Sequence, residues 1–538
     1  MPDEPTPASD APASDSPTRE ATSRDAPARR PRRSRRRRIA IWTAAAFSAL
    51  CLGFAAFAAI AFQRAHLDTV GEVAFERPLR IPPLADTRID GDGRRVFELE
   101  LRRGSAELRP GTRTETYGID GDVLGPTLRA RRGEQVRVEV RNRLGEPSTL
   151  HWHGMHLPAE MDGGPHQLIG DGATWAPEWR IDQPAATLWY HPHLHGRTAE
   201  QVYRGMAGVF IVDDPGGAPR GLPSRYGVDD FPLIVQDKRI GDDGELDTSE
   251  GPFSPSGIVG DQLLVNGTPG PYLEVAHERV RLRLLNGSNA RPYDLGFADG
   301  RAFYLVATDG GLLERPHRTT RVALTPGERA EIVVALRAGE RAVLRSFPKA
   351  LGMDVWNRRF SGADDALDLL ELRAARTLES APPPARTLAE LPAPRVPADA
   401  PTRSFELTSA STIDDRSMEM ERIDFAVERD RREVWEVRNS HGLFHSFHVH
   451  GVQFRVLEVD GAPPPPELAG LKDTVTLEPD QEMRLLVRMR DHSDPNLPLM
   501  FHCHLLSHED RGMMGQFVVV EPGGEPGTVP DRAHRHDE

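Results

Sequence analysis

Near the C-terminus, His502-Cys503-His504 is followed by His508 and Met513. Each residue type in that stretch has its own reason to hold copper. Cys503 supplies a soft thiolate, His508 an imidazole, and Met513 a thioether suited to a long axial position. One thiolate, two imidazoles and a distant Met make a blue-copper electron-transfer site. The second imidazole has to come from elsewhere in the chain, and His445 is the candidate. His502 and His504 flank the thiolate and point to the opposite side of an extended chain. Cys503 is thereby wired to two further metal ligands, the arrangement that collects electrons singly and passes them to a second metal cluster.

Three more His-x-His pairs can build that cluster: His151-Trp152-His153, His191-Pro192-His193 and His448-Val449-His450. Residues i and i+2 of a strand share a face, so each pair presents two imidazoles in one direction. With His502 and His504 the pairs suffice for about three copper ions at two or three ligands each.

These segments resemble the multicopper oxidases, the family of laccases, bilirubin oxidases and copper-efflux oxidases. The matching stretches are Leu150-His-Trp-His-Gly154, Trp189-Tyr-His-Pro-His-Leu-His-Gly196, His445-Ser-Phe-His-Val-His-Gly451 and 502–513, in the family's order, and the likeness covers 75–522. The resemblance implies four copper ions. A type 1 copper would take His445, Cys503, His508 and axial Met513, and a type 2 copper His151 and His448. One type 3 copper would take His153, His191 and His504, the other His193, His450 and His502. It also implies O2 as a substrate, reduced to water with protons, so carboxylates near the cluster are expected. Asp162 and Glu509 stand at family positions with that role. His156, His166, His195 and His441 are left as spare histidines, suited to hydrogen bonding around the ligands or to the surface. His534 and His536 belong to a solvated C-terminal tail, 523–538.

The elements that must position these residues read as β-structure. Val136, Val138 and Val140 alternate with Arg137, Glu139 and Arg141, and Val280, Leu282 and Leu284 alternate with Arg281 and Arg283. With Pro- and Gly-rich connections, the pattern predicts an all-β chain of sandwich domains. The strands repeat as units. Val140-Arg-Asn142, Leu284-Leu-Asn286 and Val437-Arg-Asn439 look like one strand end seen three times. His151 and His448 follow the outer two at the same interval, whereas Leu295 and Phe297 fall there in the middle copy. Arg204–Val212 matches Arg511–Val519, but Pro192 stands where Cys503 stands. The expectation is three cupredoxin-like Greek-key domains: 75–215 with cluster ligands, 216–375 without, and, after a linker at 376–402, 400–522 with the type 1 site and the remaining cluster ligands. A cluster between the outer domains, with the middle one as spacer, follows from fold analogy.

The chain has 538 residues and two cysteines, so several domains are expected and an intradomain disulfide framework is excluded, leaving Cys503 free for metal. Residues 1–38, rich in Pro, Ala, Ser and Arg, read as a disordered basic tail. Ile39–Phe62 carries no charge, and at 1.5 Å per residue its helix spans about 36 Å, enough to cross a bilayer core of about 30 Å. Arginines precede it, which sets the N-terminus in the cytoplasm and the rest of the chain outside as a single-pass anchor. Ala59-Ile60-Ala61 permits a cleaved signal peptide instead, and Arg36-Arg37 permits twin-arginine export. The net charge of −14 argues against nucleic acid as a partner.

For the reducing substrate the sequence offers two directions. Met418 and Met420 are soft thioethers able to bind Cu(I) near His445, though two Met on a strand also serve as packing. Against a cuprous oxidase, 361–400 is Ala- and Pro-rich rather than Met- and His-rich, and Ser440-His-Gly-Leu-Phe444 brings neither a carboxylate nor a Met to His445, where copper-efflux oxidases place both. Laccase-like oxidation of phenols or aromatic amines is the first expectation, oxidation of Cu(I) or another metal ion the second. A non-catalytic cupredoxin scaffold and a copper-sequestering protein are further alternatives.

Overall fold

A computed structural model of the chain describes residues 33–251 and 253–530. The expectations for 1–32 and for the tail histidines lie outside those residues. A long helix, α1 (Arg33–Arg64), begins at Arg33 rather than at Ile39, so the boundary expected at residue 38 moves earlier. Arginine is a strong helix former and no Gly or Pro interrupts 33–38. Its segment Arg36–Arg64 has a mean hydropathy of 2.2 over its most apolar window and is long enough to cross a membrane.

From Phe62 onward the chain is built mainly of strands. Those that carry or frame the candidate residues are β1 (Gln135–Arg143), β2 (His151–His153), β3 (Ala186–His191), β4 (Gly208–Asp213), β5 (Arg279–Asn286), β6 (Tyr293–Phe297), β7 (Arg432–Asn439), β8 (His445–Val449), β9 (Asp494–Cys503) and β10 (Met514–Val520). Two short helices, α2 (Thr198–Tyr203) and α3 (Leu506–Asp510), join them.

The alternation read from the sequence is realised in β1, where Val136, Val138 and Val140 are wholly buried and the charged residues between them lie on the other face. Three apolar cores each fill the space between two sheets. One holds Phe97, Val138, Leu188 and Phe210, the next Leu233, Leu282, Leu295 and Leu370, and the third Trp435, Leu485, Phe447 and Phe517. The fold is all-β and built of cupredoxin-like sandwiches.

Equivalent sheets share one topology. The first runs Leu128–Arg131, β4, β3, β2, and the last runs Phe425–Glu428, β10, β9, β8, Thr474–Leu477. In each, the first two strands are parallel and the others antiparallel. The middle sheet repeats that succession from Pro271–His277 to β6, so β6 stands where β2 and β8 stand. It carries Leu295 and Phe297, both packed in the core.

The repeated Asn has a physical reason to recur. Asn286 and Asn439 end their strands and Asn142 lies one residue before the end of β1; each accepts a backbone N–H two residues on and donates to two carbonyls. One buried amide thus satisfies backbone groups that the sandwich corner would otherwise strand.

Candidate metal centre

Strand register brings the histidine pairs together. In the first sheet His151 lies opposite His191; in the last, His448 lies opposite His502, and Phe447 opposite Cys503. All eight imidazoles of the four pairs are fully buried. Their ring nitrogens close into groups within 4.8 Å: His153, His191 and His504; His193, His450 and His502; and His151 and His448 with His153. A separate group joins His445, Cys503 and His508.

The hydrogen bonds decide which nitrogen of each ring faces inward. An imidazole nitrogen against a carbonyl or carboxylate must carry the hydrogen, which leaves the other as a bare lone pair. His151 Nδ1 is 2.9 Å from the Asp162 carbonyl and His448 Nδ1 2.8 Å from the Asp473 carbonyl; the Nε2 of each is buried without a partner. His191 Nδ1 is 2.8 Å from the Pro192 carbonyl and His502 Nδ1 3.1 Å from that of Cys503. His450 Nδ1 is 2.8 Å from Asp162 Oδ2, and His193 Nδ1 is 3.4 Å from Glu509 Oε1. The bare Nε2 of His193 and that of His450 then meet His502 Nε2 at 3.1 and 3.2 Å. His153 is turned the other way. Its Nε2 lies 3.1 Å from both Asp473 Oδ1 and Thr474 Oγ1, so Nδ1 faces His191 Nε2 at 3.4 Å. Neither nitrogen of His504 has a partner.

Lone pairs so aimed at one another repel unless a cation sits among them. Protons cannot serve, because burial holds His153, His191, His193 and His448 well below the usual histidine range, and His450 and His504 down to about 3. Imidazoles with their outer N–H fixed and their inner nitrogen bare form a donor set suited to copper.

The thiolate site has the same logic. His445 Nδ1 is 3.3 Å and His508 Nδ1 3.7 Å from Cys503 Sγ, and the two nitrogens are 3.4 Å apart. His508 Nε2 is held 2.9 Å from the carbonyl of Pro255. Met513 is tied into the same corner, its carbonyl accepting from Cys503 N–H and its N–H donating to the carbonyl of His508. All four side chains have zero exposure. Burial pushes the Cys503 thiol up to about 12, so a metal must displace its proton.

Both expected carboxylates lie against the cluster. Asp162 groups with His151 and His450, while Glu509 Oε2 is 3.2 Å from His502 Nδ1. Burial alone would raise both acids, but the neighbouring imidazoles, His450 and His151 for Asp162 and His193 and His502 for Glu509, hold each well below the usual carboxylate range. The spare histidines take outer positions. His166 Nε2 lies 2.8 Å from Gln516 Oε1, His156 Nε2 accepts from Gln453 N–H, and His441 Nδ1 is 3.1 Å from His445 Nε2. Buried His195 Nδ1 has no partner. Met418 and Met420 pack with Met500 and Met514.

Sequence reasoning missed Asp473 and the charges behind it. Arg329 grips both oxygens of Asp473 at 2.6 Å, and Lys472 Nζ lies 2.9 Å from both Asp309 and Glu328. These groups are almost wholly buried. Gly154, just after the first pair, has φ +84, and a Cβ there would come within 2.5 Å of Asp473 Oδ2; only glycine fits. The signal available was Lys472-Asp473-Thr474 inside an apolar strand context, where charges need partners.

Comparison with known proteins agrees with this geometry. Residues 100–217 and 391–523 each match a domain family described as multicopper oxidase. The chain is 35% identical over 448 residues to the multicopper oxidase mco of Staphylococcus haemolyticus, covering 82% of this chain and 92% of that one. It is 38% identical over 450 residues to the cell division protein FtsP of Salmonella typhimurium, covering 82% and 93%. Among solved structures it resembles a laccase-like multicopper oxidase from Ochrobactrum sp., described as oxidising lignin model compounds, with a TM-score of 0.73 and 36% identity over 82% of this chain and all of that one. With its copper-competent histidine clusters and this extent of shared sequence, the chain belongs to the multicopper oxidase family.

Proposed function

We propose that this oxidoreductase is a laccase-like, four-copper enzyme that takes single electrons from phenols or aromatic amines. Its type 1 site is His445, Cys503, His508 and Met513; its type 2 site is His151 and His448; its type 3 sites are His153, His191, His504 and His193, His450, His502. When bound, the coppers supply the redox chemistry: four one-electron oxidations of donor coupled to the four-electron, four-proton reduction of O2 to two waters. The observation that carries this reading is the convergence of bare imidazole nitrogens on either side of Cys503, whose own neighbours His502 and His504 belong to the cluster groups. A covalent path therefore leads from the sulfur to both sets.

The protein's residues hold and orient. The Asp162 carbonyl and carboxylate fix His151 and His450, and Glu509 faces the Nδ1 atoms of His193 and His502. Asp162 and Glu509, both ionised beside the cluster, are the groups that would accept protons from water and relay them for the reduction of O2. The domain reading is 75–215, 216–375 and 400–522, with α1 as a single-pass anchor and the catalytic part outside the cytoplasm, the arginines before α1 supporting that orientation. Oxygen uptake by copper-loaded protein, with 2,6-dimethoxyphenol and then Cu(I) as donor, tests the reading. Zero uptake with both rejects it, and faster uptake with Cu(I) assigns the metal-ion oxidase instead.

A second reading is a scaffold in cell division, favoured by the likeness to FtsP. Retention of every candidate copper residue in a pre-oriented array weighs against it. Copper-loaded protein that folds normally yet turns over no donor would support the scaffold.

A further inference from the structure

The thiolate site has no direct opening to a reducing substrate. His445, Cys503, His508 and Met513 are all without solvent exposure, and the outer nitrogen of each imidazole is already taken. His508 Nε2 is closed by the Pro255 carbonyl. His445 Nε2 is closed by His441, whose Nδ1 lies 3.1 Å away and whose ring stacks on it at 5.2 Å and 29°. His441 itself is only half-buried, and among the described residues no partner reaches its Nε2. Its position is fixed: its N–H donates to Asn439 Oδ1 at 2.9 Å, and the Gly442 carbonyl beside it accepts from Asn357 Nδ2 at 3.3 Å.

A chain of tautomers follows. When His445 Nδ1 is turned to the metal beside Sγ, its Nε2 carries the hydrogen and donates it. His441 Nδ1 must then be the acceptor, so the neutral His441 ring carries its own hydrogen on Nε2, facing solvent. We propose that His441 is the docking residue for the electron donor, its outward Nε2–H donating a hydrogen bond to the oxygen of a phenol that rests on this ring instead of on His445. A nitrogen bearing hydrogen has no lone pair for a metal cation, so the same residue selects oxygen-bearing aromatics over Cu(I). With copper held by His445, Cys503 and His508, each docked phenol would give one electron to Cu(II), reducing it to Cu(I), and its hydroxyl proton to water, leaving as the phenoxyl radical. The inference rests on the four-copper oxidase reading above.

The test compares wild type, His441→Phe, His441→Gln and His441→Asp, each copper-loaded. Donors are 2,6-dimethoxyphenol and tetramethyl-p-phenylenediamine, which has no oxygen to accept the bond. One neutral hydrogen bond of about 1 kcal/mol corresponds to about fivefold. In His441→Phe the ratio of kcat/KM for the phenol to that for the diamine should fall about three- to tenfold, mostly through KM. His441→Gln, which keeps an acceptor and a donor, should restore it. His441→Asp should raise kcat/KM for Cu(I) relative to the phenol. A readout independent of turnover is the type 1 midpoint potential. Loss of the acceptor on His445 Nε2–H makes that imidazole a weaker donor and should raise the potential in His441→Phe but not in His441→Gln. An unchanged donor ratio and potential in His441→Phe, or equal behaviour of the Phe and Gln variants, overturns the proposal. If His441→Phe does not fold, His441→Ala carries the same comparison. Failure of wild type to consume oxygen with either donor sinks the oxidase reading instead.

Discussion

Arg329→Gln should damage both the fold and the copper cluster, although Arg329 touches none of the candidate ligands through a hydrogen bond. Its guanidinium holds Asp473 through two contacts of 2.6 Å, with Asp309 at 3.7 Å, at zero side-chain exposure for all three. Removing one partner of a buried pair costs about 3–5 kcal/mol, because the other charge stays desolvated. Here two carboxylates would be left near each other with only Lys472 to balance Asp309, which puts the loss at the upper end. Asp473 also fixes His153 Nε2 at 3.1 Å and, through its carbonyl, His448 Nδ1 at 2.8 Å. Loss of such an orienting partner typically costs 10–100-fold in metal affinity. Guanidinium denaturation of the metal-free protein gives the first quantity, and copper retention against a graded chelator the second. Asp473→Asn, which leaves a neutral acceptor, should fall between wild type and Arg329→Gln in both. A destabilisation below about 1 kcal/mol with unchanged copper retention would refute the reasoning.

Other expectations follow from the same geometry. Cys503→Ser should abolish the thiolate-to-copper absorption and donor turnover while the histidine cluster still binds metal, seen as loss of about one copper in four by metal analysis. Asp162→Asn and Glu509→Gln should each slow reoxidation by O2 about 100-fold or more in stopped flow while leaving the visible absorption intact. The metal-free protein should lose stability as pH falls from 6.5 toward 4. His450 and His504, held down to about 3, and His508, held down to about 4, bind fewer protons folded than unfolded there, so stability rises with pH. A melting temperature flat across that window would contradict this. Gly327→Ala should disturb the cluster, since its φ is +88 and a Cβ would come within 2.9 Å of the His504 ring; copper content after purification reads it.

How much of this was legible in the sequence depends on what kind of group does the work. Candidate ligand side chains announce themselves, because His-x-His spacing in a strand places both rings on one face; the structure sets ring nitrogens of His153, His191 and His504, of His193, His450 and His502, and of His151 and His448 within 4.8 Å of one another. The Asn at or next to three strand ends was also visible, since one corner geometry recurs. The partners that orient the ligands were not. Pro255 and Pro192 act through backbone carbonyls, which any residue has. Arg329 and Asp473 meet across 144 positions, and each alone looks like an ordinary surface charge in a chain that is 28% charged. The early start of α1 at Arg33 escaped because charge was taken to favour disorder, whereas arginine favours helix.

The central claim is that one metal sits on Cys503 and three more sit among the four histidine pairs. Anomalous diffraction at the copper edge from crystals of copper-loaded protein tests it most directly. The account predicts four peaks: one bonded to Cys503 Sγ, His445 and His508, and three together among His151, His153, His191, His193, His448, His450, His502 and His504. A map with no peak at Cys503, or with the histidine pairs holding no shared cluster, would contradict it.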